Sequence, residues 1–124
     1  MSIALWCLFI AGWLPLICAG ISKWGADDFD NSYPREWLDR QQGHRKRANA
    51  AQKNSWEAFA WFAVAVLVSL HTGADPDRVD LLAMVFIAAR VFYIGLYVID
   101  RATWRSVAWA VGFVSCVMIF LSGV

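Results

Sequence analysis

The stretch IALWCLFIAGWLPLICAGI, residues 3–21, decides the fold class of this sequence. It continues for 19 residues without a charged side chain. A helix of that length extends ~28 Å at ~1.5 Å per residue, which matches the ~30 Å hydrocarbon core of a bilayer. We therefore predict that this stretch is a transmembrane helix.

Three further apolar stretches follow, at about residues 50–70, 81–99 and 106–124. Backbone amides in a bilayer must be hydrogen-bonded within their own segment, and the stretches show no period-two alternation, so we predict helices rather than a barrel. The expected fold is an all-α membrane protein, a four-transmembrane-helix bundle. It forms a single membrane domain over residues 1–124, with a polar loop at about residues 22–47.

The composition of the 124 residues supports this class and excludes two others. Hydrophobic residues make up 60% and charged residues 17%, and the mean hydropathy is +0.48. A soluble core of this size cannot bury so much apolar surface, and disordered chains are poor in these residue types. The net charge of +1 lacks the basic excess of a nucleic-acid-binding protein.

A cleaved secretory signal is the alternative interpretation of residues 3–21. The segment has no Lys or Arg before it, and its apolar run is longer than the usual core of a signal peptide. The bulky Ile17 before Cys18 also fits a lipoprotein cleavage site poorly. These features favour a span that is retained.

The basic residues predict the orientation. All but two of the 11 Lys and Arg residues, Arg78 and Arg90, fall in or beside the loops that follow the first and third spans. The positive-inside rule places these loops in the cytoplasm and both termini outside it.

Polar residues within the spans are the candidate functional residues. Arg90 lies near the centre of the third span, where an Arg costs at least ~2.5–3.5 kcal/mol and normally faces the bundle interior. Tyr93 and Tyr97 follow at i+3 and i+7, on the same helix face. Asn54 and Glu57, three residues apart, share a face of the second span.

Two interpretations of these residues are open. In the first, Glu57 and Arg90 form an intramembrane ion pair that fixes helix register, and the tyrosines are packing residues. In the second, cations, phenols and amides line a polar pocket that opens toward the cytoplasm and suits a small anionic, peptide-like ligand with several carboxylates. The cations of that pocket would be Arg47, Lys53, Arg90, Arg101 and Arg105.

Cysteine and histidine residues indicate no other chemistry. The cysteines, Cys7, Cys18 and Cys116, all lie within predicted spans, so we expect neither a disulfide framework nor a reactive thiol. His44 and His71 have no partner at metal-ligand spacing, and no metal site is predicted.

Two segments resemble signatures of the MAPEG family, the membrane-associated proteins in eicosanoid and glutathione metabolism. RANAAQKNSWEAFAWFAVAVL, residues 47–67, resembles its second-helix signature. ARVFYIGLY, residues 89–97, followed by Arg105-Ser106, resembles its third-helix and fourth-helix signature. The loop PREWLDRQQGHRKRANAAQ is similar to that of a bacterial branch, so the resemblance implies a multi-pass protein of the bacterial inner membrane.

The resemblance also implies a site and a cosubstrate. It implies a homotrimer that binds glutathione, as thiol cosubstrate, between neighbouring subunits near the cytoplasmic face. The implied catalytic residues are Arg105, which would activate the glutathione thiol, and Ser106. The family's second-helix Arg falls on Ala50, so Arg47 is the candidate substitute. The implied glutathione-binding residues are Lys23, Arg47, Gln52, Lys53, Asn54, Glu57, Arg90, Tyr93 and Tyr97.

Three functions follow as hypotheses. The first is a glutathione-dependent transferase or peroxidase that acts on lipophilic electrophiles or lipid hydroperoxides arriving from the lipid. The second is a non-catalytic structural or ligand-binding membrane trimer. The third is a small four-helix multidrug exporter, which is disfavoured because such exporters carry an essential Glu in the first span and residues 3–21 contain no carboxylate.

Overall fold

The computed structural model describes all 124 residues and contains helices but no strands. Four long helices pack against one another as a bundle, and a short helix lies in the connection between the first two of them. The all-α, four-helix membrane fold predicted from the sequence is therefore confirmed. The helices are α1 (Ile3–Lys23), α2 (Pro34–Asp39), α3 (Gly43–His71), α4 (Pro76–Val98) and α5 (Ala102–Phe120), and a 3-10 turn at Leu121–Gly123 follows α5.

Three of the helices, α1, α4 and α5 with its 3-10 extension, are long and apolar enough to cross a membrane. Helix α3 is the longest, but its first half is polar, and the span predicted at residues 50–70 is the later part of this helix. It begins at Gly43, inside the segment where a polar loop was predicted. The helix begins before the apolar stretch, because a helix outside the bilayer does not need apolar side chains.

The core is built from small and aromatic side chains. Phe62 of α3 stacks on Phe86 of α4 with ring centroids 4.0 Å apart, and both side chains are buried. Small side chains let the helices approach closely, as is typical of helix packing in membranes. The small members of this buried cluster are Ala4, Cys7, Ala11, Ala65, Ala83 and Cys116.

One end of the bundle is rich in basic residues, and we call it the basic end. It contains the C-termini of α1 and α4, the N-termini of α3 and α5, and α2. Here Arg47 Nε donates a hydrogen bond of 3.0 Å to the carbonyl of Val98, the last residue of α4. A cation at a helix C-terminus satisfies a free carbonyl and interacts favourably with the helix dipole.

The opposite end of the bundle is held by a carboxylate. Asp80, near the start of α4, accepts a hydrogen bond of 2.8 Å from the backbone N–H of Ala4. Ala4 lies in the first turn of α1, where backbone N–H groups have no partner within the helix. Helices α1 and α4 are therefore joined at one end by a charge-assisted hydrogen bond.

Helix α2 lies at the basic end and packs on α3. It begins at Pro34, since the fixed φ of proline and its missing N–H suit the first helical position. Trp37 is buried, and its ring meets the ring of Phe29 edge-to-face with centroids 5.0 Å apart. The Lys23 ammonium lies 4.9 Å from the centroid of the Phe29 ring, so the end of α1 is tied to α2.

Candidate functional site

A cavity between α3, α4 and α5 brings three of the predicted site residues together. Asn54 and Glu57 of α3 and Arg90 of α4 line its polar side. The cavity offers about 80 Å³ to water-sized molecules. Its remaining lining is apolar or aromatic and consists of Ala58, Trp61, Phe86, Trp109, Phe113 and Cys116.

Aromatic rings form the side of the cavity that faces outward between α3 and α5. Phe113 meets Trp61 edge-to-face with centroids 5.3 Å apart and stacks on Trp109 at 5.2 Å. Trp61 is 60% exposed and Trp109 43% exposed. The cavity therefore combines a few polar groups with an apolar, outward-facing wall, a composition typical of small-molecule sites.

Arg90 is 2% exposed and is held by a hydroxyl and a ring rather than by a carboxylate. Its Nη2 donates a hydrogen bond of 3.2 Å to Ser55 Oγ, and its guanidinium lies 4.0 Å from the centroid of the Tyr93 ring. The ion pair with Glu57, one of the two interpretations of the sequence, is not formed. The one ion pair of the structure joins Lys53 and Asp39 at 3.4 Å.

Two arginines and two tyrosines form a continuous row that we call the Arg–Tyr row: Arg90, Tyr93, Tyr97 and Arg105. The two tyrosine rings meet edge-to-face with centroids 5.6 Å apart. The Arg105 guanidinium then lies 4.2 Å from the centroid of the Tyr97 ring. The row runs from the buried middle of α4 to the start of α5. It connects Arg90, which lines the cavity, through two aromatic rings to Arg105, which does not line it.

Gln52 and Lys53 do not reach the cavity. They lie on another face of α3, since Gln52 and Asn54 are separated by about 200° around the helix. They line a separate basin of about 320 Å³ between α2 and α3, together with Arg35, Leu38, Asp39, Asn49 and Trp56.

Two amide oxygens on these two faces lack a donor. Gln52 Oε1 and Asn54 Oδ1 are buried, and neither accepts a hydrogen bond within the chain. Buried polar atoms are nearly always satisfied in folded proteins, so each of these unpaired acceptors requires an explanation. Both oxygens are free to accept a hydrogen bond from a donor outside the chain.

The remaining predicted residues do not line the cavity, and these include Tyr93, Tyr97 and Arg105 of the Arg–Tyr row. Lys23 stands over the Phe29 ring, and Arg47 caps α4. Ser106, next to Arg105, is exposed on α5 and is not among the residues that line the cavity.

Sequence reasoning missed Ser55 and the aromatic wall. Ser55 belongs to the buried face of α3, on which Ala48 and Ala51 precede it at helical spacing, and this stripe of small residues was its available signal. Trp109 lies one turn after Arg105, so the i, i+4 spacing on α5 was the signal for the wall.

A comparison with known protein families identifies the chain. The model of the MAPEG family matches residues 3–124. The chain belongs to the MAPEG family. This membership confirms the resemblance drawn from residues 47–67 and 89–97, and the fold is the helical membrane fold of that family. No curated protein and no solved structure matches the chain significantly.

In this MAPEG protein the cavity offers complementary groups for a small zwitterionic molecule. Arg90 has a charge without a carboxylate partner, and the donors that it does not use for Ser55 are free for an anion. The carboxylate of Glu57 and the unpaired oxygen of Asn54 are acceptors, suited to an ammonium or amide N–H.

Proposed function

We propose that this MAPEG protein is a glutathione-dependent transferase or peroxidase that acts on lipophilic electrophiles or lipid hydroperoxides. Proteins of this family generally use glutathione. The observation that carries the proposal is the convergence of Asn54, Glu57 and Arg90 on one cavity whose other walls are apolar. A reaction between a water-soluble thiol and a membrane-dissolved substrate needs such a two-sided site.

The polar side of the cavity would bind the ends of the tripeptide. Arg90 would bind a glutathione carboxylate, Glu57 the ammonium group, and Asn54 Oδ1 a peptide N–H. Hydrogen bonds to charged groups contribute ~1.5–3 kcal/mol each, so the loss of any one of these contacts should weaken glutathione binding by about tenfold or more.

Arg105 would stabilise the reactive form of the thiol. A free thiol with pKa ~8.5 is mostly protonated at neutral pH, and the thiolate is the nucleophile. A guanidinium beside the sulfur favours the anion, but it is too weak an acid to exchange protons, so the thiol proton leaves to water at the basic end. Ser106, the neighbouring residue, would supply a further hydroxyl donor to the sulfur.

Two reactions of that thiolate fit the apolar wall. In a transfer, the sulfur forms a bond to an electrophilic carbon. In an addition, the electron pair of the attacked double bond is protonated by solvent. In a displacement, the bond to the leaving group breaks and the leaving group takes the electron pair. In a peroxidase reaction, two glutathione molecules reduce a hydroperoxide to the alcohol and water and become the disulfide. In both, the lipophilic substrate would approach past Trp61 and Trp109, the exposed residues of the wall.

A second protomer would complete the site. The cavity of about 80 Å³ is smaller than the ~300 Å³ at which ligand sites begin, so one protomer does not enclose a tripeptide. MAPEG proteins are typically trimeric. In a trimer, Gln52 and Lys53 of one protomer would face the cavity of its neighbour, with Lys23 and Arg47 as further cations at the basic end.

The proposed setting is the bacterial inner membrane, with the basic end in the cytoplasm and both termini outside it. Glutathione would then enter from the cytoplasm, and the second substrate from the lipid. Exposed apolar side chains surround the bundle and suit contact with lipid or with neighbouring protomers.

Glutathione binding is the first test. We expect purified protein in detergent to bind glutathione, and the bound thiol to show thiolate absorbance at a pH below the ~8.5 midpoint of a free thiol. The variant Glu57→Gln should bind more weakly by about tenfold, since it loses a charged acceptor. The matched control is Glu36→Gln, an exposed Glu of α2. Absence of binding at millimolar glutathione would leave the non-catalytic membrane trimer as the function.

A mixing experiment tests whether the site lies between protomers. Each of the variants Gln52→Ala and Asn54→Ala is expected to bind glutathione weakly when it is expressed alone. The two variants are then co-expressed and purified as mixed trimers. If the two residues serve one site from different protomers, some sites in the mixture carry no substitution, and part of the glutathione binding returns. No recovery in mixed trimers would show that each site takes both residues from the same protomer.

A further inference from the structure

We propose that Tyr97 acts through the face of its ring, as a positioning residue that holds the Arg105 guanidinium in one place at the start of α5. Tyr93 holds Arg90 in the same way. This inference rests on the proposed function. Within that function it separates the residues that act on glutathione from the tyrosines that position them. The two phenols were expected as hydrogen-bond donors to a ligand, whereas the geometry points to their rings as supports for cations.

The contacts of the Arg–Tyr row carry the inference. The guanidinium of Arg90 lies 4.0 Å from the Tyr93 centroid and that of Arg105 4.2 Å from the Tyr97 centroid. Both distances are well within the ~6 Å over which a ring face attracts a cation. The hydrogen bonds within the protomer involve neither phenol hydroxyl.

Arg105 depends on this support because it has no other fixed partner. It lies in the first turn of α5, makes no ion pair, and its side chain donates no hydrogen bond within the protomer. A long Arg side chain without a partner samples many rotamers, and stacking on a ring restricts it. Tyr97 therefore decides where the charge of Arg105 is held.

The row connects the buried core to the basic end through successive side-chain contacts. Tyr97 meets Tyr93 at 5.6 Å, and Tyr93 is 5% exposed. Tyr93 in turn meets Arg90, which is anchored on the buried Ser55. The half-buried Arg105 is thus positioned by a chain of contacts that starts on α3, passes along α4 and ends on α5.

The test compares two substitutions that separate ring from hydroxyl. Tyr97→Leu removes the ring face, and we expect kcat for glutathione conjugation to fall by about tenfold to a hundredfold, while KM for glutathione changes by less than about threefold. Tyr97→Phe keeps the ring and should restore most of the lost kcat. The control pair is Tyr33→Leu and Tyr33→Phe, in the exposed loop before α2, which should leave both constants unchanged.

Two outcomes would overturn the inference. A loss in Tyr97→Phe as large as that in Tyr97→Leu would assign the role to the hydroxyl. A loss confined to KM would make Tyr97 a direct contact of glutathione.

A double-mutant cycle tests the same contact without any ligand. Tyr97→Leu, Arg105→Gln and the double variant are unfolded by heat in detergent. If the ring holds the guanidinium, the double variant lowers Tm by less than the sum of the single shifts; additive shifts would overturn the inference. If wild-type protein shows no glutathione chemistry, the proposed function fails, and this cycle still decides whether Tyr97 positions Arg105.

Discussion

Replacing Arg105 with Ala is expected to lower kcat for glutathione conjugation by about a hundredfold to a thousandfold, the cost of removing one preorganised charge-stabilising group. The guanidinium is held over the Tyr97 ring. A charge that is fixed in this way needs little reorganisation when the thiolate forms. The measurement is steady-state turnover of a lipophilic electrophile by protein in detergent. The pH at which bound glutathione shows thiolate absorbance should rise toward that of free glutathione.

The matched control for this experiment is Arg101→Ala. Arg101 lies four residues earlier, at the start of α5, is exposed and has no ring contact. It changes the charge of the basic end by the same amount, so a general electrostatic effect would appear in both variants. Equal losses in Arg101→Ala and Arg105→Ala, or full activity in Arg105→Ala, would contradict the assignment of Arg105 to thiolate stabilisation.

Arg90→Met is expected to abolish most glutathione binding while leaving the folded protein intact. The buried guanidinium has no carboxylate partner, and an Arg in the middle of a span costs at least ~2.5–3.5 kcal/mol. Met has a similar length and fills the space, and replacing a buried charge by an apolar side chain is often neutral or stabilising. If Arg90 binds a glutathione carboxylate as proposed, loss of this contact should weaken binding by about tenfold to a hundredfold.

This experiment separates a binding residue from a structural one. Glutathione affinity is measured by calorimetry, and folding by thermal unfolding in the same detergent. The control is Arg78→Met, an exposed Arg near the start of α4, which should change neither quantity. Unfolding of Arg90→Met, or normal glutathione affinity in a folded variant, would show that Arg90 serves the packing of the bundle instead.

The class of fold was predictable because a bilayer acts on each segment separately. A stretch such as residues 3–21 must hydrogen-bond its own backbone in lipid, so length and apolar composition alone indicate a helix. The start of α3 at Gly43 was not predictable by this argument. Residues 43–49 are helical although they precede the apolar stretch. Most of them are polar or charged, so hydrophobicity does not indicate where the helix begins.

The candidate site was predictable only as far as helical spacing extends. Asn54 and Glu57 share one face of α3, and Arg90, Tyr93 and Tyr97 follow one face of α4, as expected. The partner of Arg90 was not predictable from the sequence. Ser55 and Glu57 are both polar residues of α3 that could face α4, and only the packing of α3 on α4 selects Ser55.

The order of apolar and basic segments by itself determined a helical membrane protein with a basic end, because hydrophobic length and charge act locally along the chain. The family signatures of residues 47–67 and 89–97 were also available from the sequence alone. Only the tertiary structure decided that Arg90 contacts Ser55, that Arg47 caps α4 and that Gln52 and Lys53 face a separate basin. Those contacts depend on the rotation and crossing of helices, which many distant side chains set together.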